Sequence, residues 1–212
     1  MKLLQIKNTK DKTGVLLVVM HLAGAIGLSN EYSNKFFLSL VPYNLLFTFL
    51  LCLYYVSIKK YYKLFILLFL IGYIIELIGV KTGFLFGDYL YGDTLGQKIF
   101  GVPLVIGLNW LILCLATFSL CSTAFKDKWL QVLFASILMV LLDFIIEPVA
   151  IKFSFWSWQN VSVPTQNYIM WFFVSLFMHF ILLYYRININ HKLGVYVILS
   201  QLVFFVYLLF VM

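Results

Sequence analysis

Three carboxylates stand inside strongly apolar runs: Glu76 in YIIELIGV, and Asp143 and Glu147, four residues apart, in LLDFIIEPVA. An ionisable group in hydrocarbon is costly, so each is by default a functional candidate. Carboxyl groups so placed handle protons, as general acid and base in an enzyme or as the relay of a proton-coupled transporter. Gly72, Gly79 and Gly83 fall at −4, +3 and +7 from Glu76, on one side of a helix. Such a face admits a close neighbour and aims Glu76 into a bundle. Asn109 and Trp110 stand about two turns into the next apolar run. Asn167, Trp171, Ser175 and His179 form an i+4 stripe on a later one. The stretches after the two carboxylate runs are rich in aromatics: Phe84, Phe86, Tyr89 and Tyr91, then Phe153, Phe155, Trp156 and Trp158.

Membrane helices must position these groups. The 212-residue chain is 64% hydrophobic and 11% charged. Apolar stretches of roughly 20 residues, enough to cross a ~30 Å hydrocarbon core, recur along its whole length. The expected fold is all-α: a polytopic integral membrane protein with about seven transmembrane helices near 14–29, 38–58, 63–81, 103–125, 128–147, 168–186 and 193–211. No soluble domain fits between them, so residues 1–212 are expected to form a single transmembrane domain. Pro148 disfavours helical geometry at Glu147, which predicts a helix end there.

The net charge of +7 sits at the ends of hydrophobic runs, the pattern of topology signals and not of a nucleic-acid surface. Eleven of the fifteen Lys and Arg residues fall on one side: Lys2, Lys7, Lys10, Lys12, Lys59, Lys60, Lys63, Lys126, Lys128, Arg186 and Lys192. Lys35, Lys81, Lys98 and Lys152 fall on the other. The excess predicts a cytoplasmic N-terminus and an external C-terminus. In that orientation Glu76, Asn109, Trp110, Asp143, Glu147 and Asn167 all lie in the outer third of the membrane. The links 82–102 and 148–167 lie outside.

Plainer roles compete with the chemical ones. Glu147 beside Pro148 also reads as a helix-end group at the interface, and Asp143 as glue paired with Lys152 or an amide. Trp156 and Trp158 also read as interfacial anchors, since tryptophan collects at that depth. No metal site is expected: His21, His179 and His191 lie on separate segments without HxxxH or HxxH spacing. His179 reads as a hydrogen-bonded bundle residue. Cys52, Cys114 and Cys121, without CxxC spacing, read as small packing residues. Asn160-Val161-Ser162 is a short match to a glycosylation sequon.

Several motifs in order then carry a family resemblance. ExxGxxxGxxFGxYxY from Glu76 to Tyr91 is followed by GVPLxIxxxW from Gly101 to Trp110. LLDxxxEP at 141–148, WSW at 156–158 and VPxxNYxxW from Val163 to Trp171 complete the set. Over about residues 70–172 the chain resembles the CruF-type carotenoid hydratases, which include γ-carotene 1′,2′-hydratases and bisanhydrobacterioruberin hydratases. Two departures bear on the substrate. The chain reads LGQKIFGVP where the family usually carries a basic residue and a second proline, and Glu147-Pro148 where it carries aspartate-proline.

The resemblance implies a hydro-lyase of carotenoid biosynthesis, a multi-pass protein of the cell inner membrane with its cavity toward the extracytoplasmic side. Its substrate would be γ-carotene, lycopene or a similar carotenoid taken from the bilayer. Membrane lipids would surround it, other carotenoid-pathway enzymes could be neighbours, and no cofactor is implied. The reaction adds water across the terminal C1′=C2′ bond of an acyclic end. A proton is delivered to C2′, and water captures the tertiary cation at C1′. Asp143, Glu76, Asn109 and Glu147 are the expected catalytic set, with Asp143 as acid and Glu76 or Asn109 holding water. Tyr73, Trp110, Tyr89, Tyr91, Trp156, Trp158, Asn167 and Trp171 are expected to contact substrate; Trp110, Trp171 and Tyr73 offer π faces to the cation. A lycopene-cyclase-like isomerase would begin with the same protonation but exclude water. A proton-coupled transporter fits less well, because no matching inner polar set or inverted repeat is evident.

Overall fold

A computed structural model describes residues 9–160 and 162–211. Lys2 and Lys7 of the charge pattern and Val161 of the sequon lie outside them. Among the described residues are seven helices long and apolar enough to cross a membrane. They are α1 (Thr9–Ser29), α2 (Asn34–Cys52), α3 (Ile58–Thr82), α4 (Leu104–Ala124), α5 (Lys128–Lys152), α6 (Thr165–Tyr184) and α7 (Lys192–Val211).

α4 is the hub. It packs against α2, α3, α5, α6 and α7 and is buried on all sides from Trp110 to Ser119. A helix apolar all round belongs in such a position. α2 is its opposite, burying only Thr48 and Cys52. The outward faces of the bundle carry large apolar side chains such as Phe36, Ile66 and Phe144, the surface a hydrocarbon environment calls for.

α1 and α3 begin at Thr9 and Ile58, five residues before the sequence expectation, and two helix ends differ for a local reason. α2 stops at Cys52, not near 58, because residues 53–57 turn, with Tyr54 and Tyr55 N–H donating to Leu51 and Cys52 carbonyls. The apolar residues of this turn hide it from hydropathy, and Val56 bridges to Ile189 of the α6–α7 link. α5 does not end at Glu147 but continues through Pro148 to Lys152. Proline forfeits one backbone bond, a loss membrane helices tolerate when neighbours absorb it. Past Pro148 the chain is held by Phe153 N–H to Val149 O and Phe155 N–H to Ala150 O.

The two long links on one side of the bundle are not plain loops. β1 (Tyr89–Tyr91) and β4 (Trp156–Trp158) pair antiparallel, Tyr89 opposite Trp158 and Tyr91 opposite Trp156. A second short ribbon, β2 (Lys98–Ile99) with β3 (Val102–Pro103), leads into α4. Successive strand residues point to opposite faces. Leu90 and Ser157 therefore face out, while Tyr89, Tyr91 and Trp158 turn into the bundle. The ribbon is a lid of aromatic rings over the ends of α3, α4, α5 and α6.

Candidate active site

The glycine face of α3 explains how Glu76 is reached. A β-carbon on Gly72 would lie 2.5 Å from Trp110 Cβ, so glycine here lets α4 approach closely. A β-carbon on Gly79 would lie 2.5 Å from the Phe86 ring and 2.9 Å from the Tyr89 hydroxyl. That part of the face receives the returning link, not another helix. Gly83, at φ 63°, ends α3 and turns the chain back over it.

Three donors from these neighbours meet Glu76. Tyr89 and Tyr91 hydroxyls donate to Oε2 at 2.5 and 2.7 Å, and Trp110 Nε1 donates to Oε1 at 2.8 Å. Burial above all, and then the Glu76 carboxylate, push the hydroxyl pKa of both tyrosines up, so both remain O–H donors. Glu147 is held in the same style from the other strand. Trp156 and Trp158 Nε1 donate to its Oε2 at 2.9 and 3.0 Å. Indole N–H can only donate, so each side of the ribbon is tied to one carboxylate.

Asp143 is treated differently. Asn167 Nδ2 donates to its Oδ2 at 2.7 Å and reaches Glu147 Oε1 at 3.5 Å. Its Oδ1 receives no hydrogen bond among the described residues. Asp143, Glu147 and Asn167 are each at most 2% exposed. Trp110 and Trp171 stack at 4.1 Å between ring centroids, 25° apart.

Glu76, Asp143, Glu147, Asn109, Asn167, Trp110, Trp171, Tyr89, Tyr91, Trp156 and Trp158 all line one cavity of about 30 Å³, together with Phe86 and Ile106. That is room for about one water molecule. Among the described residues no basic side chain lines it. A second, larger space of about 370 Å³ lies beside it, walled by α1, α2, α4 and α7. Ile106, Asn109 and Trp156 belong to both linings. Asn109 makes no side-chain hydrogen bond to the described residues, so its amide is free at the junction.

One expected contact lies elsewhere. Tyr73 lines neither space; its hydroxyl donates to Ile99 and Val102 carbonyls at 2.9 and 3.2 Å, tying α3 to the β2–β3 ribbon. The indoles of Trp156 and Trp158 are turned to Glu147. Asp143 pairs with an amide, as its structural reading anticipates. His179 is a bundle residue: Thr117 Oγ1 lies 2.9 Å from Nε2 and Ser136 Oγ 3.0 Å from Nδ1. The sequence reading missed Phe86, Ile106 and the whole α1–α2–α7 wall. The alternation in Tyr-Leu-Tyr and Trp-Ser-Trp was the one local sign of the ribbon.

Comparison with known proteins shows the family. Over 115 residues, 48% of the chain, it is 32% identical to a bisanhydrobacterioruberin hydratase from Haloarcula japonica. The match covers 38% of that relative's length. No solved structure matches. A family model described as carotenoid biosynthesis protein matches residues 37–212, which includes every residue of the cavity. The chain belongs to the carotenoid biosynthesis protein family.

Proposed function

We propose that the chain is a carotenoid 1′,2′-hydratase that adds water to the terminal C1′=C2′ bond of an acyclic carotenoid end. Asp143 delivers a proton from its carboxyl group to C2′, leaving a tertiary cation at C1′. The stacked indoles of Trp110 and Trp171 present π faces to that charge. Water held by Asn109 attacks C1′, and Glu147 takes the proton it releases. Asn167, bonded to both carboxyl groups, keeps Glu147 near Asp143, so a proton passed back restores the starting state. Alkene and water become one tertiary alcohol, and the protein is unchanged.

The roles follow from hydrogen bonding. Glu76 is surrounded by three donors and has no oxygen to spare, so it anchors the lid and Trp110 instead of meeting substrate. Of the three carboxyl groups, Asp143 has the oxygen without a hydrogen-bond partner among the described residues, which suits the group that must reach the alkene. The observation carrying this reading is a buried cavity with three carboxylates, room for about one water and a free amide at its mouth. The lid side is the extracytoplasmic one, a placement supported by the lysine pattern.

Expression in cells that accumulate lycopene or γ-carotene tests the reading. The expected product is an alcohol heavier than its precursor by one water. An isomer of unchanged mass would overturn hydration in favour of cyclisation.

A further inference from the structure

We infer that the groove of about 370 Å³ between α1, α2, α4 and α7 is the polyene channel, and that the substrate threads into it end first from the bilayer between α1 and α2. This inference rests on the hydratase reading for the identity of the occupant. Four observations support it. The lining is overwhelmingly apolar, as a hydrocarbon chain requires. Its exposed wall residues Ala23, Tyr43 and Phe47 belong to α1 and α2, so the opening faces lipid sideways. It joins the carboxylate cavity at Ile106, Asn109 and Trp156. α2, the least buried helix, carries Pro42 inside its span beside this wall, packed near Gly96 of the 82–102 link.

Size sets the mode of binding. A space of about 370 Å³ is at the small end of pockets that enclose drug-sized ligands, about 300–1,000 Å³. One end of a long polyene fits, and the remainder stays in the bilayer. The smaller cavity holds a water but not a branched end group, so the reacting bond comes to rest at the junction beside Asn109. A terminal bond is thereby selected over every internal double bond of the chain.

Two substitutions fill the groove from different helices. A β-carbon on Gly24 meets only Phe204, at 3.4 Å, so α1 accommodates a side chain there whose outer atoms enter the groove. Gly24→Leu blocks the α1 wall and Val41→Trp the α2 wall; Leu16→Trp, on an exposed face of α1 outside the groove, is the control. Full-length protein in lipid nanodiscs is titrated with lycopene, and binding is read from the circular dichroism induced in the polyene absorption band. Wild type and Leu16→Trp should bind alike, and each groove variant should bind at least about tenfold more weakly, as overfilling a packed site implies. Asp143→Asn should bind like wild type and yield no alcohol. Undiminished binding by both groove variants, or no induced signal with wild type, would overturn the channel. Groove-dependent binding without alcohol from wild type would uphold the channel and overturn the hydratase reading instead.

Discussion

Asn109 stands where water and alkene would meet, and the residue-scale account turns on what it and its neighbours each hold. Asn109→Leu removes the free amide that the described residues place at the junction. Steady-state turnover should fall about tenfold, the equivalent of one lost hydrogen bond of ~1.4 kcal/mol, with little change in polyene binding. Asp143→Asn preserves shape and the contact with Asn167 but removes the proton. Alcohol formation should drop by about 10²–10⁴-fold, the usual contribution of a positioned acid. Glu147→Gln should be milder. Glu76→Gln tests a different role, because an amide N–H₂ turned toward Tyr89, Tyr91 and Trp110 meets donors with a donor. Leaving a buried donor unsatisfied costs about 1–3 kcal/mol. Its main effect should therefore be a lowered thermal midpoint, and activity should be lost with the lid's closure. A Glu76→Gln protein of unchanged melting temperature would contradict the anchoring role.

At the scale of elements, the lid ribbon joins two distant links, and its tyrosines give it a pH signature. The hydroxyls of Tyr89 and Tyr91 titrate higher in the folded protein than the ordinary tyrosine value, because of burial and then Glu76. Their contribution to stability is full below the unfolded-state value of about 10 and is lost as pH rises toward the raised folded value. The fluorescence of Trp156 and Trp158, on the facing strand, should report the lid loosening only above about pH 10; loosening near neutrality would contradict these bonds. The helices were largely legible in the sequence, because length and hydropathy alone identify a segment that must satisfy its backbone internally. The turn at 53–57 and the continuation past Pro148 were not, since each depends on tertiary bonds that hydropathy does not encode. The carboxylates, Asn109, Asn167 and the tryptophans were legible as polar or aromatic groups out of place in hydrocarbon. Tyr73 has the same composition signal as Tyr89, yet it serves the β2–β3 ribbon, and only the chain path separates the two. The groove was illegible, because apolar lining looks like any other apolar surface in a membrane helix.

At the scale of the whole molecule, the described residues hold seven candidate spans, and we propose that the two ends lie on opposite sides with the N-terminus cytoplasmic, as the lysine pattern predicts. A reporter active only in the cytoplasm, fused after Met212, should be silent, and strong signal would invert the assignment and with it the side of the lid. Everything in the account converges on water as a reactant captured by a cation inside a closed bundle. The most direct measurement is single-turnover reaction of the purified protein with lycopene in ¹⁸O-water, followed by mass analysis of the product. The account predicts one labelled oxygen, located on the terminal tertiary carbon of the end group, with wild type, and almost none with Asp143→Asn. An unlabelled alcohol, or a product with the mass of its precursor, would contradict it.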